Sequence, residues 1–141
     1  MARRRVLILC TGNSARSQMA EGLINHFLQQ EWHAFSAGTE PSGYVHPLAI
    51  RAMKELDIDI SSHYSKSTEE FREMALDQVI TVCDDALEKC PVWLGAGKVT
   101  HIGFPDPAKS IGDELEPLHA FRYVRDAIRD QVLSHLSVEI T

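Results

Sequence analysis

Cys10 and Arg16 are separated by five residues, Thr11, Gly12, Asn13, Ser14 and Ala15, several of them small or polar. The apolar run Val6-Leu7-Ile8-Leu9 leads into the cysteine, and an amphipathic stretch follows the arginine. This order reads as a buried strand, a tight loop and a helix. Such a loop curls into a ring with the sulfur at its centre. Successive backbone N–H groups and the helix N-terminus then point above the sulfur, which is a cradle for a tetrahedral oxyanion. The same field stabilises a thiolate, so one segment supplies both the anion holder and an activated nucleophile. Arg16 suits a bidentate clamp on two anion oxygens, which a lysine would not reproduce. Ser14 or Ser17 is placed to donate a hydroxyl to the Cys10 sulfur, and Asn13 tolerates a left-handed backbone that fastens the loop. The candidate anion-binding set is therefore Thr11, Gly12, Asn13, Ser14, Ala15, Arg16 and Ser17 around Cys10.

The elements that must position this loop follow from periodicity. A first helix is expected from about Ala15 to Gln30, with Met19, Leu23, Ile24, Phe27 and Leu28 on its buried face. Trp32 to Ala37 reads as a strand stopped by Gly38, and His46 to Leu56 as a second helix. Ser67-Thr68-Glu69-Glu70 carries a polar cap followed by acids, so a short third helix is expected through Met74. The β-branched run Val79 to Val82 reads as a buried parallel strand ending at Cys83, and Lys98 to Phe104 as a fourth strand. A final helix from Pro117 to Leu136 buries Leu118, Phe121, Val124, Ile128, Val132 and Leu136. Strands alternating with helices imply an α/β fold, a four-stranded parallel sheet with helices on both faces. Ligands of such sheets bind beyond the carboxyl ends of the strands. Cys10 and Cys83 both fall at that edge, so two distant thiols share one rim. Asp106, stiffened between Pro105 and Pro107 after the fourth strand, falls there too and is the candidate general acid.

The 141 residues fit a single domain, 1–141, with no internal repeat or long linker. A net charge of −6 argues against general nucleic-acid binding, so an anionic substrate must be drawn by a local site. The start Arg3-Arg4-Arg5 precedes an apolar run too short for a secretory core, and no stretch approaches membrane-spanning length. A cytoplasmic protein is expected. Three cysteines without an export signal favour catalytic or redox thiols over a structural disulfide framework. The seven histidines show no metal-type spacing and read as surface or partly packed residues.

Cys-Thr-Gly-Asn-Ser-Ala-Arg-Ser-Gln-Met-Ala-Glu-Gly, from Cys10 to Gly22, resembles the active-site loop shared by low-molecular-weight tyrosine phosphatases and thioredoxin-linked arsenate reductases. The likeness continues through Ser36-Ala37-Gly38, His46-Pro47, Ile58-Asp59-Ile60-Ser61, Cys83 to Cys90, Asp106-Pro107-Ala108 and Phe121 to Asp126. The fold it implies is a flavodoxin-like three-layer sandwich around a four-stranded parallel sheet. Cys83 and Cys90 resemble the redox pair of the reductases, whereas phosphatase chemistry needs neither. Were the segment between them helical, the pair would be about 10.5 Å apart in rise. A disulfide needs Cα atoms about 4.4–6.8 Å apart, so forming one requires that segment to unwind. Asp106 matches the acid of both branches. The phosphatases typically carry an aromatic residue after Asp-Pro that grips the substrate ring; Ala108 stands there in this chain.

The resemblance implies arsenate reduction by Cys10, Arg16, Asp106 and a relay through Cys83 and Cys90. Arsenate is the implied substrate, phosphate and sulfate its mimics, and thioredoxin the reductant. No cofactor, metal, nucleic acid or membrane is implied, and a monomer is expected. Some reductases bind potassium beside the loop through residues matching Asn13 and Glu21 and two more that align with Tyr64 and Lys66. The Lys66 ammonium is expected to replace that ion and pair with Glu21. Two alternatives stay open: a low-molecular-weight phosphatase working through a phosphocysteine, and a non-enzymatic oxyanion or redox sensor. The paired cysteines speak against the first, Asp106 against the second.

Overall fold

The computed structural model describes residues 3–84, 92–109 and 116–140, and all following statements concern these residues. Along the chain come β1 (Arg4–Cys10), α1 (Arg16–Phe27), β2 (Trp32–Gly38), α2 (Pro47–Lys54), β3 (Gln78–Thr81), β4 (Lys98–His101) and α3 (Pro117–Ile140). Two 3-10 turns, Thr68–Phe71 and Pro107–Lys109, lie between them. The strands form one sheet in the order β2-β1-β3-β4, every pairing parallel. Among the described residues no helix is long and apolar enough to cross a membrane.

β1 lies inside the sheet and is buried from Val6 onward, as an uninterrupted apolar run demands when both faces are covered. Val6, Ile8 and Cys10 enter one apolar cluster, with Met19, Leu23 and Ile24 of α1, Met53 of α2, and Phe121, Val124 and Ile128 of α3. Leu7 and Leu9 point the other way, against Ala37, Phe71, Leu76 and Val79. Among the described residues Phe71, Met74 and Trp93 cover that second face. The stretch 85–91, which holds Cys90 and the segment expected to unwind, lies outside the described residues.

The ends of several elements differ from the periodicity reading. α1 stops at Phe27, three residues early, because the chain reverses through Leu28 to enter β2, with Trp32 N–H donating to Leu28 O at 2.9 Å. Phe27 is thus left beyond the core edge and is 49% exposed. The expected third helix is a single 3-10 turn: Ser67 caps it by accepting from Glu69 N–H, and Phe71 is already in the core. The fourth strand ends at His101, although Phe104 N–H still reaches Val82 O at 3.1 Å. α3 continues to Ile140.

Close packing of α1 on α2 depends on Gly22. A Cβ there would lie 2.8 Å from Ile60 Cγ2 and 3.0 Å from Met53 Cε. α2 is also tied to α3 by charge: Arg122 Nε lies 2.9 Å from Glu55 Oε1, and Arg125 Nη1 reaches the same oxygen at 2.9 Å.

Candidate functional site

β1 carries Cys10 to the carboxyl edge of the sheet, where its register partner is Gly38 at the end of β2. A side chain at 38 would collide with Thr11 O and sit 3.0 Å from Asn13 N. The absent side chain therefore lets the loop after Cys10 lie directly against the end of β2.

The loop's carbonyls are all accounted for on its outside. Thr11 O accepts from Glu40 N–H at 3.0 Å, Gly12 O from Ser42 N–H at 2.9 Å, and Ser14 O from His46 N–H at 2.9 Å. Gly12 O also accepts from Ser65 Oγ at 3.1 Å, and Asn13 O from Gln18 Nε2 at 3.2 Å. No peptide among the described residues is cis. In a trans peptide the C=O and the next N–H point in opposite directions. With the carbonyls of 11 to 14 turned outward, the N–H groups of 12 to 15 turn inward. Asn13 makes the bend at φ 49°, in the left-handed region that asparagine tolerates. Its buried amide donates to Ser17 Oγ at 2.7 Å, and its Oδ1 accepts from Lys66 N–H at 2.8 Å and Gln18 Nε2 at 2.9 Å.

Ala15 caps α1 without any side-chain hydrogen bond, so the positive helix end faces the loop interior. Arg16 opens the helix and is almost fully buried. Its Nη1 donates to Phe104 O at 3.1 Å, and its Nη2 lies 3.7 Å from Asp106 Oδ2. Asp106 is held by its own turn, with Ala108 N–H donating to Oδ1 at 2.9 Å and Lys109 N–H to its carbonyl at 3.1 Å.

These groups surround a cavity of about 280 Å³ lined by Cys10, Thr11, Gly12, Asn13, Ser14, Ala15, Arg16 and Asp106. Of the residues expected at the site, these eight line the cavity, whereas Cys83 does not, and Ser17 instead holds Asn13 from behind. Cys10 is buried and stands outside any disulfide. Cys83 follows β3, beside β1, in the same apolar cluster as Cys10, and is disulfide-bonded. Cys90 lies outside the described residues.

Ser42, Tyr44, His46, Ala108 and Lys109 complete the wall. Of these the resemblance marks Ala108, at the ring-gripping position of the phosphatases, and includes His46-Pro47 without a role, His46 otherwise reading as a packed or surface histidine. The available signal was topological: the β2–α2 connection also leaves the carboxyl edge, so its residues must approach the ligand. Beneath the loop Lys66 Nζ lies 3.4 Å from Glu21 Oε1, the pairing expected from the sequence. Ser36 Oγ donates to the same oxygen at 2.6 Å, and His63 Nδ1 lies 3.1 Å from Gln18 Oε1. Burial pushes His63 below its ordinary value despite the raising influence of Glu21.

A loop that wraps a cysteine in inward N–H groups at the end of a parallel strand defines a class. Residues 5–139 match the family model of the low molecular weight phosphotyrosine protein phosphatases, and the chain belongs to that family. Within it, an arsenate reductase of Oceanobacillus iheyensis is 45% identical over 132 residues, which is 94% of each chain. A solved arsenate reductase in the phosphate-binding state superposes with a TM-score of 0.80 at 33% identity, covering 98% of this chain and 99% of the other. The thioredoxin-dependent arsenate reductase of Corynebacterium glutamicum has a TM-score of 0.65 at 26% identity, covering 96% of this chain and 63% of that one.

Proposed function

We propose that this protein is an arsenate reductase that uses its own thiols as the immediate reductant. The observation that carries the reading is the placement of Cys10 inside a ring of inward amides, with Cys83 just past the end of the neighbouring strand. Arsenate binds above Cys10, held by the loop amides and Arg16, which exchanges Asp106 for the anion. The Cys10 thiolate attacks arsenic, and a hydroxyl leaves as water with the proton of Asp106. Cys83 attacks the Cys10 sulfur, the As–S bond breaks, and its electron pair stays on arsenic. Arsenic(V) becomes arsenite, and Cys10 and Cys83 become a disulfide. Cys90 then attacks Cys83 and frees Cys10.

Thioredoxin is the proposed external dithiol, supported by the likeness to the thioredoxin-dependent enzyme. The protein works as a monomer in the cytoplasm without a cofactor or metal, Lys66 serving in place of a cation. The test is arsenite formation over many turnovers with thioredoxin, its reductase and a nicotinamide reductant. Cys83→Ser and Cys90→Ser are each expected to abolish multiple turnover. Retained turnover in both overturns the relay, and no turnover in the parent chain would mark a sensor.

A second activity, hydrolysis of aryl phosphates, is favoured by one observation. Ala108 leaves the family's aromatic position empty of a ring, yet Tyr44 stands on the cavity wall from another loop and is 55% exposed. Tyr44→Ala is expected to weaken aryl-phosphate hydrolysis several-fold while leaving arsenate reduction intact. Equal losses in both would assign Tyr44 to the anion site itself.

A further inference from the structure

His46 is the cavity residue with the most chemistry left over. Pro47 fixes the first turn of α2, and His46 takes extended backbone, φ −60° and ψ 131°, as its N-cap. Serine, threonine, asparagine and aspartate usually fill that position with a side-chain oxygen. Here the imidazole does so: Nδ1 accepts from Leu48 N–H at 3.1 Å. A ring nitrogen that accepts carries no proton, so the single proton of the neutral imidazole is on Nε2.

The ring is firmly placed. Its own backbone N–H donates to Ser14 O of the anion loop, and its face packs on Phe121 with centroids 4.6 Å apart. Nε2 has no hydrogen-bond partner among the described residues and is not among the buried atoms left unpaired there. It therefore opens into a cavity. The imidazole stands between two: the anion cavity, and a smaller apolar one of about 130 Å³ lined by Leu48, Pro107, Ala120 and Phe121. Burial holds His46 below its ordinary value against the opposing influence of Asp106, which lines the same anion cavity. The neutral, Nε2-protonated form is thus the working one near pH 7.

We propose that His46 is a substrate contact whose Nε2–H donates a hydrogen bond to the outer oxygen of the bound oxyanion. This rests on the reading that the Cys10 loop holds a tetrahedral oxyanion. With the loop amides and Arg16 taken by the oxygens nearest the sulfur, the oxygen opposite the sulfur is left to the other polar lining residues, Asp106 and His46 with Ser42, Tyr44 and Lys109. A neutral donor there orients that oxygen toward the Asp106 carboxyl without adding a second negative group.

Inorganic phosphate is the probe, with the full chain. His46→Asn keeps an N-cap acceptor for Leu48 N–H, but its shorter side chain ends before the Nε2 position. Its melting temperature should stay near the parent value while the phosphate Kd, by calorimetry, rises roughly tenfold, the loss of one hydrogen bond to a charged group. In the unaltered protein the ring 15N spectrum should show the Nε2-protonated tautomer, with the Nε2 signal moving as phosphate saturates the site. A folded His46→Asn protein within twofold of the parent Kd overturns the proposal. So does an Nε2 signal unmoved at saturation, which would place the free ring edge in the apolar cavity. Failure of the parent itself to bind phosphate, unchanged by Arg16→Lys, would instead overturn the oxyanion reading underneath.

Discussion

Lys66 is among the few buried charged side chains, and its partners define its work. Its ammonium faces Glu21 Oε1 at 3.4 Å and donates to Tyr64 O at 3.1 Å, while its backbone N–H fastens the amide of Asn13 at 2.8 Å. One residue thus neutralises a buried carboxylate and pins the bend of the anion loop. Lys66→Met would leave Glu21 without its ammonium, a change worth on the order of 3 kcal/mol. Chemical denaturation should show that loss, and potassium should partly restore Lys66→Met while leaving the parent unaffected at fixed ionic strength. Activation of the parent by potassium would refute the replacement. This pairing was legible through the resemblance, which set Lys66 at a position where some reductases bind potassium. His46 and Tyr44 were not, because no spacing links them to Cys10. They meet it only because two connections leave the same edge of the sheet.

At the scale of elements, apolar patterning identified β1, β2, β3 and the three α-helices, since each must bury one face or both, whereas β4 is mostly exposed. The ends were another matter. Phe27 fits the α1 stripe but lies past the core, and the acids after Ser67 fit a helix start where the structure has one 3-10 turn. Tertiary packing sets such limits, and a single stretch of sequence does not carry it. The link between α2 and α3 yields a pH prediction. Hydrogen bonds from Arg122, and secondarily from Arg125, hold Glu55 down to about 2, against burial. A carboxyl lowered on folding stabilises the native state above its unfolded value near 4.5. That contribution is lost as pH falls through the folded value. Melting temperatures between pH 5 and pH 2 should therefore fall more steeply in the parent than in Glu55→Gln. Parallel slopes would mean the pair is screened by solvent.

For the molecule as a whole, a chain of net charge −6 must attract an oxyanion of its own sign. In the proposed mechanism the inward amides and Arg16 hold the anion, and the exposed cation on the cavity wall is Lys109. Lys109→Glu should raise the KM for arsenate several-fold at low ionic strength, with the difference fading as salt shortens the screening length to about 3 Å near 1 M. A KM difference indifferent to salt would make Lys109 a direct ligand instead. The parallel sheet serves the same end, since it brings Cys10, Cys83 and Asp106 to one rim from positions far apart in the chain. That convergence is the core of the account, and a single turnover tests it most directly. Fully reduced protein, mixed with arsenate without any external reductant, should release one arsenite per chain and lose two thiols. Arsenate recovered unchanged, with all three thiols intact, would contradict the claim that the chain's own cysteines supply the electrons.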